Sequence, residues 1–339
     1  MTAEISLTAI RGQERALARL REILSGGLSS GALLLWGPDG VGKRTATLAL
    51  ARQILCAEAG EGAPCGRCLS CRTPLESHPD LHVLKPGETV SIGIDAVREL
   101  LRGTLESPLL SPVRIALLDE VHRLTPEASN SLLKSLEEPS DNLLFFLLAP
   151  SPDRLLPTLL SRLLKVRFSP LSDSDLTAIA RDLRPESPPE EIQRAVLLSG
   201  GSAGRLLALV DSPLSDPLSR VASLLGALGP RGRIDFGAVG EAFPALAEKD
   251  GFDIFLDALE RLLLSAERVA GGLSPLPEWR ESSLPALYAH EGPDFLRGSL
   301  HDKIGEMRRI SVHNINRGLA LEQFLGWIGE LFSPKGSET

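Results

Sequence analysis

The sequence predicts an α/β protein, with a parallel, helix-covered sheet carrying a phosphate loop and a helical second half. Three observations predict it. Short apolar runs alternate with amphipathic helical stretches up to about residue 170. A glycine-rich loop, Gly37-Pro-Asp-Gly-Val-Gly-Lys43, stands between one such run and a helix. Beyond residue 170 the strand-like runs nearly vanish and helical periodicity takes over.

Residues 1–24 read as helical, with Leu17, Leu20 and Leu24 on one face, and Ser25-Gly26-Gly27 ends the pattern. Ala32–Trp36 is a short apolar run flanked by glycines, as a buried parallel strand requires. A helix is expected over Thr45–Leu55, then a cysteine-bearing segment over 56–71. Leu81–Leu84 reads as a weak strand, Asp95–Leu105 as a helix and Val113–Leu118 as a strongly apolar strand. Pro126–Glu138 is a helix with proline in its first turn and Pro139 just past its end. Leu143–Leu148 is another buried strand, and Pro157–Leu163 a short helix. Asp173–Arg184 and Pro189–Leu198 read as short helices, Ser199-Gly200-Gly201-Ser202 as a break and 211–217 as a linker. Phe252–Val269 and Asn316–Leu331 are amphipathic helices of the last part.

The 339 residues are enough for two or three domains with a sizeable core. With 43% hydrophobic and 24% charged residues, the composition is that of a soluble globular protein. Ten Phe, three Trp and one Tyr are too few for a broad base-stacking surface. A net charge of −8 does not draw nucleic acid, so any DNA contact needs a local patch. The densest basic stretch, Lys303 to Arg309, reads equally well as a solvated helix face. No apolar run reaches the roughly 18 residues of a membrane span, and the N-terminus lacks a signal pattern. The expectation is a cytoplasmic protein that meets no membrane and whose cysteines do not form disulfides.

In the glycine loop, Gly37, Gly40 and Gly42 let backbone N–H groups point at phosphate oxygens, and Lys43 adds a full charge at a helix N-terminus. An ordinary glycine-rich turn is the competing reading. The residue after the lysine is normally Ser or Thr, whose hydroxyl ligates Mg²⁺. Here it is Arg44. Thr45 follows, rotated on a helix by about 100° from that position. Nucleotide (ATP or ADP) can still bind on this reading, whereas Mg²⁺-assisted hydrolysis is impaired. If Arg44 merely points to solvent, the defect is weaker. Asp119 and Glu120 end the strand that begins at Val113. In P-loop ATPases the first acid holds Mg²⁺ and the second orients the attacking water. Taken alone, acids at a strand end are also ordinary turn residues.

All four cysteines fall in one segment: Cys56, Cys65, Cys68 and Cys71. Two overlapping C-x-x-C steps with a fourth thiol nine positions upstream can close a tetrahedral Zn²⁺ site, structural because no coordination position stays open. An iron–sulfur ligand set or a redox pair are the alternatives. His78 lies nearby, but four thiolates already saturate a metal, so it reads as structural.

Several segments together resemble the gamma/tau and delta-prime family of bacterial DNA polymerase III clamp-loader subunits. They are Gly12-Gln13-Glu14, His78-Pro79-Asp80, Ile92-Gly-Ile-Asp-Ala-Val-Arg98, Ala128-Ser-Asn-Ser-Leu-Leu-Lys-Ser-Leu-Glu-Glu-Pro139 and Leu156-Pro-Thr-Leu-Leu-Ser-Arg162, with the cysteine spacing beside them. A weaker echo is Asn314-Ile-Asn-Arg-Gly-Leu-Ala320.

The resemblance implies an AAA+ core over 1–170 with the zinc module at 56–71, a helical lid over 171–212 and an all-α collar over 213–339. It implies gamma/tau and delta subunits as partners, with the sliding clamp and primed DNA met within the complex. Arg162 matches the family's arginine finger, which acts on a neighbour's nucleotide, although Leu163 replaces the usual cysteine. Ala149-Pro150-Ser151 stands where the family carries a polar sensor, and the second sensor falls near Gly204 or Arg205. Arg44, Ala149 and the lack of a tau-like extension favour a delta-prime-like stator over a gamma-like ATP-hydrolysing motor. A zinc-module DNA-binding scaffold is a third reading, disfavoured by the acidic charge.

Overall fold

The computed structural model describes residues 7, 10–25, 30–58, 63–86, 91–138, 140–211, 217–226, 249–270, 272, 277–282, 284–292, 298, 301–312 and 317–332. Contacts divide the chain into two compact units, one of 1–186 with 199–207, the other of 187–198 with 208–339.

The first unit is built on a parallel sheet. Its strands are β1 (Gly31–Trp36), β2 (Leu81–Leu84), β3 (Arg114–Leu118), β4 (Leu143–Ala149) and β5 (Leu164–Arg167). Their order is β2-β3-β4-β1-β5, and every pairing is parallel. Leu33 lies opposite Phe146 on one side and Leu164 on the other. The central strands are apolar at successive positions because both faces are covered. Leu33, Leu35, Ile115, Leu117, Leu144, Phe146 and Leu148 point to one face, packing with α1 (Glu14–Ser25) and α2 (Lys43–Leu55) through Leu17, Leu20, Ala46 and Leu50. Ala32, Leu34, Ala116, Leu118, Phe145 and Leu147 point to the other. There they meet α4 (Ile94–Gly103) through Val97 and Leu100, α5 (Pro126–Glu137) through Ala128, Leu132 and Leu136, and α6 (Pro157–Leu160) through Leu159. The short α3 (Leu69–Arg72) carries Cys71 and is capped by Cys68.

Thr125, not singled out in the sequence, caps α5 by accepting from the Ala128 N–H, and Pro126 fills its first position, where a proline was expected. Pro139, expected past its end, lies outside the described residues. One strand was not anticipated. The stretch after Pro157 is a single helical turn followed by β5, in which only Val166 is buried. An edge strand with exposed Leu164, Lys165 and Arg167 shows neither apolar run nor clean alternation, so its pairing to β1 is a tertiary fact.

After the sheet come α7 (Asp173–Leu183), α8 (Pro189–Ser199) and α9 (Ala203–Val210). Most of the linker expected at 211–217 lies outside the described residues. The second unit adds α10 (Pro217–Gly226), α11 (Lys249–Ala270), α12 (Pro277–Glu281), α13 (Leu284–Glu291), α14 (His301–Val312) and α15 (Arg317–Phe332). The long α11 is central, packing against α10 and α14, and α14 packs against α15. Phe252, Phe255, Leu259, Ile304, Phe324 and Ile328 are buried in this unit. Arg308 of α14 reaches the α11 carboxylates of Asp257 (2.6 Å) and Glu260 (2.5 Å), while Lys303 pairs with Glu306 at 2.7 Å. Lys303 and Arg308, in the densest basic stretch of the sequence, are thus engaged by carboxylates. Of the Asn314–Ala320 echo, 314–316 lie outside the described residues, and Arg317 begins α15.

Candidate functional site: a phosphate loop and a four-thiol module

The loop leaves the C-terminal end of β1, between β4 and β5, where open α/β sheets bind ligands. Two of its glycines, Gly37 and Gly40, are required by space. A Cβ on Gly37 would stand 2.2 Å from the Phe168 carbonyl oxygen. Gly40, at φ +74°, would place one 2.2 Å from Ser202 Oγ. The Gly204 N–H donates to the Gly40 carbonyl at 2.9 Å, so the start of α9 touches the loop. Buried Gln13 ties it from the other side: Nε2 donates to the Val41 (3.2 Å) and Ser169 (2.7 Å) carbonyls, and Oε1 accepts from the Ser169 N–H. That bridge explains a motif the sequence marked without assigning it a role. Gly42 caps α2 with no side-chain hydrogen bond.

Buried Lys43 turns back on the loop, donating from Nζ to the Gly37 (2.6 Å) and Pro38 (2.8 Å) carbonyls, with Asp39 at 3.5 Å. Burial lowers its pKa from the ordinary lysine value, opposed by Asp39 and then by Asp119 and Glu120. Thr45 is half-buried on the first turn of α2. Arg44, the alternative to a metal-ligating hydroxyl, does not point to solvent alone: its Nη1 meets Asp119 Oδ2 at 3.1 Å. The other carboxylate oxygen accepts the Glu120 N–H at 3.0 Å. Glu120 sits in a left-handed conformation at φ 49° and is ion-paired to Arg123 at 2.7 Å. Both strand-end acids therefore face an arginine. Magnesium does not fit this arrangement, because the hydroxyl ligand is missing and a cation already sits on Asp119.

Ala149 is buried, and Ser151 Oγ accepts from the Asp153 N–H and donates to Asp153 Oδ2, so the hydroxyl is turned to its own turn. Arg205 is exposed, whereas Gly204 contacts the loop. Arg162 follows α6, away from Lys43 in the sequence. Its guanidinium donates to the Thr158 carbonyl at 2.5 Å and to Ser161 Oγ at 3.2 Å, and is ion-paired to Glu137 of α5.

In the cysteine module the four Sγ atoms lie within 4.8 Å of one another, with Cys56 and Cys68 4.0 Å apart and Cys65 and Cys71 3.9 Å apart. Tetrahedral Zn–S bonds of roughly 2.3 Å would set such edges at roughly 3.8 Å. Backbone N–H groups of Cys65, Cys68 and Cys71 donate to the sulfurs of Cys56, Cys65 and Cys68 at 3.2, 3.3 and 3.4 Å. The Cys71 N–H is the main cause that lowers Cys68 to about 6, while burial pushes Cys71 up to about 12. This donor set can hold a metal ion.

A buried polar network fastens the module to the sheet. Arg52 of α2 donates from Nη1 to the carbonyls of Ser70, Cys71 and Thr73 at 3.0, 3.3 and 2.8 Å. Ser70 Oγ donates to the Leu55 carbonyl and contacts His78 Nε2 at 2.9 Å. Because His78 Nδ1 accepts the Asp80 N–H, Nε2 carries the proton, and the ring is a structural link between the module and β2. Asp80 is fully buried, accepting the N–H groups of Leu109 and Leu110 at 2.7 Å each.

A parallel α/β domain with a P-loop after its first strand and a four-thiol module after its first crossover helix is the class that this fold and site define. Residues 12–172 match the family model described as DNA polymerase III, delta subunit. The delta-prime subunit of Pseudomonas aeruginosa is 37% identical over 174 residues, which cover 50% of this chain and 53% of that one. The delta-prime subunit of Escherichia coli is 34% identical over 181 residues, covering 52% and 54%. The gamma/tau subunit of Mycobacterium bovis is 31% identical over 255 residues, covering 74% and 44%. The chain spans about half the length of these relatives. A solved gamma subunit-related protein of Thermotoga maritima shares the fold at TM-score 0.50 and 18% identity, over 94% of this chain and 99% of that one. Over these residues the chain is similar to the DNA polymerase III delta-prime and gamma/tau subunits. No helix among the described residues is long and apolar enough to cross a membrane.

Proposed function

We propose that this chain is a delta-prime-like clamp-loader subunit that works as a stator and lends Arg162 to a neighbour's nucleotide. Its setting would be ATP-driven loading of the sliding clamp onto primed DNA, beside gamma/tau and delta subunits. The observation that carries the reading is the pairing of Asp119 with Arg44, which removes the metal-binding acid from the chain's own phosphate site. Glu120, paired to Arg123, is likewise diverted from orienting water. What would remain for catalysis is Arg162 acting on another subunit's nucleotide, where guanidinium charge stabilises the transition state of phosphoryl transfer. In the isolated chain Glu137 holds Arg162, and docking of a neighbour would exchange that partner for a phosphate. The four cysteines would hold one structural Zn²⁺. The boundaries proposed are a core over 1–170, a lid over 171–212 and a collar over 213–339.

The test is ATPase activity of the purified chain, alone and after reconstitution with gamma/tau and delta subunits. The expected result is negligible hydrolysis alone, and a loss of hydrolysis and clamp loading by the complex on Arg162→Ala. Robust hydrolysis by the isolated chain that disappears with Lys43→Ala would instead establish the gamma-like motor, a reading favoured by the retained Lys43, Asp119 and Glu120. Unchanged activity of an Arg162→Ala complex removes the trans role.

A further inference from the structure

The phosphate loop keeps its cradle while its metal position is altered, and the two facts together have a chemical consequence. The cradle consists of the turn at Gly37, Gly40 and Gly42, the uncapped N-terminus of the 13-residue α2, and buried Lys43. Lys43 rests on two neutral carbonyls, Gly37 and Pro38. A phosphate oxygen, being anionic, is a stronger acceptor for that ammonium than either carbonyl. Arg44 adds a second permanent cation one residue along, with five N–H donors of which one is directed at Asp119. An arriving Mg²⁺ would have to displace a guanidinium from Asp119 or settle beside it, against like-charge repulsion.

We propose that this loop is a metal-independent binding site for the polyphosphate of a nucleotide, with the Arg44 guanidinium standing in for the magnesium charge. The inference rests on the phosphate-loop reading of residues 37–45 and stands or falls apart from the clamp-loader role. A tri- or diphosphate would bind in its metal-free form, held by Lys43, the loop N–H groups and Arg44. The Mg²⁺ complex, which presents two fewer negative charges to these cations, would bind equally or less well. No hydrolysis follows, because neither acid is available to a metal or to water.

Calorimetric titration of the full chain with ATP and with ADP, in chelator-treated buffer and again with excess magnesium, tests this directly. The expected result is saturable binding in chelator that magnesium leaves within about threefold or weakens. Lys43→Ala should abolish that binding. Arg44→Ser, which rebuilds the hydroxyl ligand and frees Asp119, should weaken metal-free binding by about tenfold or more and make it recover with magnesium. The proposal is overturned if magnesium tightens binding to the unaltered chain about tenfold or more. It is also overturned if neither nucleotide binds under either condition, or if Lys43→Ala leaves binding intact. These wild-type measurements decide the matter even if a substituted chain fails to fold. Because they use the isolated chain, they are independent of whether Arg162 acts in a reconstituted complex.

Discussion

The four-thiol module and the phosphate loop sit at opposite ends of α2, and both are ligand sites by motif. They differ in how far the motif is honoured. In the module every ligand is present, the sulfurs are already gathered to within 4.8 Å, and a buried network from Arg52, His78 and Asp80 anchors the whole. In the loop the cradle is intact, but Arg44 and Arg123 sit on the two acids that would serve a metal and a water. The contrast shows that a motif specifies a backbone shape before it specifies chemistry. One site keeps shape and donors together, whereas the other keeps the shape and pairs its strand-end acids with arginines.

The comparison can be broken or sharpened by substitution, and the largest effect is expected in the module. Cys71→Ser, or treatment with a strong chelator, should release one equivalent of zinc by atomic absorption and lower the melting temperature, since metal affinity of such sites is folding free energy. An unchanged metal content and melting curve would show that the cysteines are not a metal site. Next comes Arg52→Ala, which strands three carbonyls of the module. A loss of about 2–3 kcal/mol in urea unfolding is expected, from buried acceptors deprived of a charged donor. Gly40→Ala should cost about 1–2 kcal/mol, because it forces a side chain into a left-handed conformation and against Ser202. The smallest stability change belongs to Arg44→Ser. Its ion pair is partly exposed, so a loss below about 1 kcal/mol is expected, even though this substitution is the one that should restore magnesium dependence. A large destabilisation by Arg44→Ser would make that pair a structural strut and erase the proposed contrast.

Much of this was legible in the sequence, for identifiable reasons. The buried parallel strands β1, β3 and β4 announce themselves because coverage on both faces demands continuous apolar residues. Cysteine spacing, glycine spacing and the proline in the first turn of α5 are local signals of the same kind. The edge strand β5 was not legible, since an edge with one buried residue in four lacks a pattern. Nor was α9, whose start touches the loop through Gly204.

The sequence by itself determined the fold class, the phosphate-loop shape, the thiol set and the absence of a metal-ligating hydroxyl beside Lys43. Each depends on residues close together in the chain, where geometry follows from spacing. Only the tertiary structure decided what Arg44 and Gln13 do. Arg44 reaches Asp119 across 75 positions of sequence, and Gln13 reaches Ser169 across 156. Side-chain pairing over such separations depends on strand order and parallel register. Those bring the ends of β1 and β3 to the same edge of the sheet, and no local pattern encodes that.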